Sequence, residues 1–177
     1  MRMYILGVNH QIQGTQILSM STSGAAERFE AEQKRPFRRL LRDRLAERHA
    51  EFVAEEARHG EESIAQELSC AEGLRYANVE MPPMERTARG ILPGYESNAN
   101  IEQADKAAFH REREAYMFER TIAEARGAES VIVVCGRNHV SALAARFRGA
   151  DCAVEVADIQ DEEWYVEDWI THMMMRL

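Results

Sequence analysis

The run "VIVVC", residues 131–135, constrains the fold more than any other stretch of the chain. It is apolar and mostly β-branched, lies between Ser130 and Gly136, and is too short for a buried helix. Such a run suits a strand covered on both faces, the usual condition of a parallel sheet. Strand-like runs also occur at 3–8, about 50–55, 76–81 and 152–157. Helical stretches are expected at about 25–48, 61–72, 103–126, 139–148 and 162–174. In 103–126, Ala104, Ala108, Ala115, Phe118, Ile122 and Ala125 recur at helical spacing and define a buried face. Alternating strands and helices predict an α/β fold, a mainly parallel sheet of about five strands flanked by helices.

With 177 residues, the chain is expected to form a single domain over 1–177. One segment breaks the rhythm. Residues 82–102 hold three of the four prolines, Gly90 and Gly94, and read as a long Pro-containing loop rather than a domain boundary. Because it follows a strand, it is expected to leave the carboxyl edge of the sheet and cover what lies there. Arg86 and Arg89 within it are candidate anchors for an acidic ligand, although surface solvation is their more ordinary role.

The formal charge of −8 and a pI near 5.3 argue against a nucleic-acid partner, which requires a basic stripe. The local cluster "KRPFRRLLRDR" is surrounded by acids and reads as a solvated helix face. No apolar run approaches the roughly 18 residues of a spanning helix, and no leader precedes the first strand. The expectation is a cytoplasmic protein without a membrane partner. Cys70, Cys135 and Cys152 lack metal-type spacing and read as reduced thiols. The tail "THMMMRL" reads as a packed helix end.

Two strand-like runs end in the same way. "YILGVNH" and "VIVVCGRNH" both close on Gly-x-Asn-His, pairing Gly7 with Gly136 and His10 with His139. Ligands of an open parallel sheet bind beyond the carboxyl ends of its strands. There the sequence supplies Asn9 and His10, then Glu55 and Glu56 with His59 nearby, then Glu80, then Asn138 and His139, and finally Asp158. Two imidazoles with carboxylates can hold a divalent metal or share the acid and base roles of a hydrolysis. The competing reading is ordinary. A lone acid at a strand end usually caps a helix, Asp158 can simply open the element that follows, and a single histidine there is more often structural. Two matched histidines favour a site.

These residues resemble the superfamily that joins the TIKI proteases, TraB/PrgY proteins, erythromycin esterases and ChaN-like haem-binding lipoproteins. His10 matches the first histidine of its paired motif, and "VIVVCGRNH" resembles the second histidine strand. "VAEE" looks like the strand that ends in the family glutamate, for which Glu55 and Glu56 compete. "REREAYM" resembles the family's Arg-[Asp/Asn]-x-x-Met helix, with Arg113 and Met117 at the matching positions and Glu114 as a departure. Helical spacing alone leaves Arg111 as an alternative to Arg113.

The resemblance implies an erythromycin-esterase- and ChaN-like fold and a hydrolase that acts on a small-molecule or peptide substrate. His10, His139, Glu55 or Glu56, and Arg113 would be catalytic. Asn9, Glu80, Arg111, Asn138 and Asp158 would bind ligand. A metal-assisted form would use His10, His139 and Glu56 as ligands. The alternatives are a non-catalytic module that binds a metal, haem or small ligand in the same cleft, or an interaction protein. A second copy of the chain is a candidate partner.

Overall fold

The computed structural model of the chain describes residues 1–15, 23–167 and 169. Five strands form one sheet: β1 (Arg2–Val8), β2 (Phe52–Glu55), β3 (Arg75–Asn78), β4 (Ser130–Gly136) and β5 (Ala153–Asp158). Their order is β3-β2-β4-β1-β5, and every neighbouring pair runs parallel. The central strands β1 and β4 pair from Arg2 with Ser130 through Val8 with Gly136. The two Gly-x-Asn-His motifs therefore leave the sheet side by side.

Side-chain alternation along the strands divides the core in two. Tyr4, Leu6, Val8, Val53, Ile132 and Val134 face Phe37, Leu41 and Leu45 of α3 (Arg35–Glu47) and Ile64, Ala65 and Leu68 of α4 (Ile64–Ala71). On the other face, Met3, Ile5, Ala54, Val131, Val133 and Cys135 pack with Met117 of α6 (Gln103–Glu124) and with Val140, Leu143 and Phe147 of α7 (Arg137–Gly149). The whole of β4 is buried, as its sequence requires. Cys135 lies in this core, and burial pushes its thiol well up, so it packs rather than reacts. The other two cysteines are also free.

Several boundaries differ from the sequence expectation. β3 ends at Asn78, so Glu80 lies beyond the strand, in a turn built by the Asn78 side chain. Asn78 Oδ1 accepts from the backbone N–H of both Ala57 and Glu80, and this draws the ends of β2 and β3 together. The helix expected over 25–48 is α2 (Ser23–Phe29) joined to α3 by a π-helical segment, Glu30–Lys34. His10 opens a short helix, α1 (His10–Gln13), that sequence reading missed. Residues 82–102 are not featureless. They begin with α5 (Pro83–Ala88), and Ile91 and Tyr95 join Met81 in a small separate core against Phe109 and Tyr116 of α6. The helix expected over 162–174 is not formed at 162–167, which are turn and irregular structure; residues 168 and 170–174, and the tail "THMMMRL" at 171–177, lie outside the described residues. Among the described residues, no helix is long and apolar enough to cross a membrane.

Candidate functional site

The strand order reverses between β1, which leads by α3 toward β2 on one side, and β4, which leads by α7 to β5 on the other. The crevice of a doubly wound sheet opens at such a reversal, beyond the carboxyl ends of the strands. Three side chains converge there. His10 Nε2 lies 3.6 Å from Glu56 Oε1, and His139 Nε2 lies 3.5 Å from the same oxygen.

Both motif glycines have a steric reason. A Cβ on Gly136 would stand 2.9 Å from His10 Nε2 and 3.2 Å from Glu56 Oε2, so any side chain there would displace the site. A Cβ on Gly7 would meet Val140 Cγ2 at 2.7 Å, which glycine avoids so that α7 can pack closely on β1.

The neighbours of each imidazole fix its orientation. His10 Nδ1 lies 2.5 Å from Gln13 Oε1 within α1. The Gln13 amide cannot be reversed, because its Nε2 donates to the Glu56 backbone carbonyl at 3.1 Å and to Glu55 Oε1 at 3.2 Å. Gln13 Oε1 is thus an acceptor, His10 carries its proton on Nδ1, and its Nε2 presents a lone pair to the cleft. His139 is buried, and its Nδ1 donates to Glu114 Oε1 at 3.1 Å. Burial acts to lower the His139 pKa, but the Glu114 hydrogen bond and the charge of Glu56 outweigh it and raise it. The half-exposed imidazole is therefore suited to accept a proton and the buried one to give it.

β2 settles Glu55 against Glu56. Successive strand residues face opposite ways, and Glu56 is the one between the histidines. Its Oε2 accepts from Gly136 N–H at 2.7 Å and its Oε1 from Arg113 Nη2 at 2.8 Å. Burial raises its pKa, opposed by His139, His10 and Arg113. Glu55 lies behind α1, fully buried, where it accepts from Ser63 Oγ, Tyr76 OH and Gln13 Nε2. Burial outweighs those bonds and pushes Glu55 up to about 7.

Arg113 enters the site and Arg111 stays exposed on the far side of α6. Besides Glu56, Arg113 donates to Glu80 Oε2 at 2.6 Å, to Tyr95 OH at 3.1 Å and to Glu96 Oε1. Burial would raise Glu80, yet Arg113 and Arg86 hold it down at about 2. Met117, one turn beyond Arg113, packs in the core beneath.

A cleft of about 480 Å³ is lined by His10, Glu56, His59, Glu80, Arg86 and Arg113, with Gly94, Tyr95 and Glu96 from the 82–102 segment. A second cavity of about 210 Å³ lies on the other side of His10, where Asn9, Asn138 and His139 stand. The segment therefore covers the carboxyl edge. Arg89, in contrast, turns to Glu85, Glu112 and the Tyr116 ring on the surface.

Other candidates have structural work or lie outside. Asn9 caps α1 by accepting from Gln11 N–H, and Asp158 caps the 3-10 turn that follows β5 by accepting from Gln160 N–H. Asp158 lines neither cavity. His59 Nε2 bonds the Glu80 carbonyl. Gln13, Glu114, Tyr95 and Glu96 were not assigned roles from sequence. Gln13 lies one helical turn from His10, a signal that α1 would have revealed; a loop has no periodicity to expose Tyr95 and Glu96.

The chemistry of the set decides whether His10, His139 and Glu56 suit a metal. Both Glu56 oxygens are engaged, one by a guanidinium that repels a cation, and His139 is biased toward its protonated form. Among the described residues, no group of three or more His, Cys, Asp or Glu is arranged to hold a metal ion. The arrangement does not fit one.

No protein-family model, curated protein or solved structure matches the chain.

Proposed function

We propose that the chain is a small hydrolase that activates water with paired imidazoles. The observation that carries this reading is the approach of both Nε2 atoms to one Glu56 oxygen while their Nδ1 atoms are held by different partners, Gln13 and Glu114. His10 Nε2 accepts a proton from water, and the hydroxide adds to the carbonyl or phosphoryl centre of a substrate in the cleft. His139 Nε2 returns a proton to the leaving group. Glu56 stabilises both imidazoles during the exchange, and the positive charge of the Arg113 guanidinium on the cleft wall favours the negative charge that develops. The resemblance to the TIKI and erythromycin-esterase superfamily supports the same assignment of His10, His139 and Arg113, and of a glutamate at 55 or 56.

The test is a panel of ester, peptide and phosphoester substrates, with metal content measured on the same preparation. The expected result is hydrolysis without a stoichiometric metal, insensitive to chelators. General acid–base groups typically contribute about 10²–10⁴ in rate, so His10→Ala should lose at least about a hundredfold and keep its melting temperature. Full activity in His10→Ala, or inactivity of the wild type across the panel, rejects the hydrolase reading. A stoichiometric divalent metal lost in His139→Ala rejects the metal-free mechanism.

A further inference from the structure

Of the three carboxylates that Arg113 holds, two are fixed and one is not. The Glu56 and Glu80 side chains are 1% and 5% exposed, whereas that of Glu96 is 56% exposed. Glu96 lies next to Tyr95, which is anchored. Tyr95 is buried in the small core with Met81 and Ile91, packs edge-on against Phe109 and His110, and bonds His110 Nδ1. The Glu96 side chain can therefore rotate into solvent while the Tyr95 hydroxyl stays beside Arg113 Nη1.

Glu96 also stands where the two cavities meet. Apart from His10, it is the residue that lines both the space of about 480 Å³ and the space of about 210 Å³. The two spaces thus adjoin at Glu96 and His10, and Arg113, which Glu96 covers, lines the larger one.

We propose that Glu96 stands in for the carboxylate of the substrate, which displaces it from Arg113 Nη1, turns it toward solvent and lies along the two spaces, joined into one trough, across His10. Resting on the reading of this cleft as a hydrolytic site, the substrate class becomes an elongated monocarboxylate. Charge favours a single carboxylate over phosphate. One monoanion exchanged for Glu96 leaves the site's charge unchanged, whereas a dianion adds a negative charge beside the fixed Glu56, Glu80 and Glu114. Arg113 Nε and Nη2 are taken by Glu80 and Glu56, so a ligand carboxylate would receive the one charge-assisted hydrogen bond from Nη1 that Glu96 receives now.

Acetate binding tests the proposal without any turnover. Acetate and inorganic phosphate are titrated into wild type, Glu96→Ala, Glu96→Gln and the exposed control Glu119→Ala, with NMR signals of Tyr95 and His110 as reporters. Glu96→Ala should bind acetate at least tenfold more tightly than wild type or Glu119→Ala. Glu96→Gln, which keeps the volume and drops the charge, should show a smaller gain in the same direction. Equal acetate affinity in wild type and Glu96→Ala, or shifts confined to residues remote from Tyr95 and His110, overturns the proposal. Tighter phosphate than acetate overturns the carboxylate assignment, and unfolding of both Glu96 variants shows the residue to be structural instead. Because acetate affinity is read directly, a chain inactive in the hydrolysis panel can still pass this test, and an active one can still fail it.

Discussion

Replacing Glu55 by glutamine should stabilise the protein at pH 8 relative to wild type and have much less effect at pH 4.5. Glu55 is fully buried, and its carboxyl is raised from about 4.5 to about 7, mainly by desolvation. The sign follows from proton counts. Between those values the folded state keeps a proton that the unfolded state has released, so wild-type stability falls as pH rises through that interval and levels off above it. At about 1.4 kcal/mol per pH unit, a gap of about 2.5 units amounts to roughly 3 kcal/mol. The amide that Glu55→Gln introduces cannot ionise and avoids this loss, while Ser63 and Tyr76 can rotate their hydroxyls to meet it. Urea unfolding at half-unit steps from pH 4.5 to 8.5 gives the stability difference directly, and other titrating groups cancel between the two proteins. A difference that does not change with pH would refute the reasoning, because the three donors to Glu55 would then have kept it ionised.

Three further outcomes are expected. Glu114→Gln removes the charge that helps raise His139 and leaves only a neutral acceptor for its Nδ1–H, so the alkaline fall in hydrolysis, where the proton donor is lost, should move to lower pH in a pH–rate profile. Gly136→Ala places a methyl 2.9 Å from His10 Nε2 and should abolish turnover; the half-exposed imidazole can yield, so thermal unfolding should register a cost of only about 1 kcal/mol. Arg113→Met leaves buried Glu56 without its guanidinium and Glu80 with Arg86 alone, and should cost about 3–5 kcal/mol at neutral pH in urea unfolding. That penalty should shrink as pH falls from about 4.5 toward 2, the interval over which wild type loses the stability gained by depressing Glu80.

The sheet was legible wherever strands are buried on both faces. β1 and β4 appear as apolar runs of the right length, and their equivalent endings point to the two histidines. β3 was overextended by reading on to Met81, because the edge strand pairs only over Arg75–Asn78 and the apolar residues after it belong to the turn and the small core. Glu55 and Glu56 could not be separated from sequence. Alternation sends them to opposite sides, but both faces of this sheet are apolar, and only Gln13, Ser63 and Tyr76 on one side and the histidines on the other reveal which is which. Arg111 and Arg113 were ambiguous for a similar reason. The second apolar face of α6, with Phe109 and Tyr116, is covered by the 82–102 segment, and that cover buries Arg113. Contacts made by a loop without periodicity leave no pattern in the sequence.

The division of labour between the histidines is open to direct measurement by ¹⁵N NMR of the imidazoles, with the six histidines sorted by comparing wild type with His10→Ala and His139→Ala. The neutral form of His10 should carry its proton on Nδ1 and leave Nε2 bare. His139 should be more than half protonated at pH 6.5, since its pKa is raised above that ordinary value. A neutral His139 at pH 6.5, or a His10 whose proton resides on Nε2, would contradict the assignment of base and acid on which the account stands.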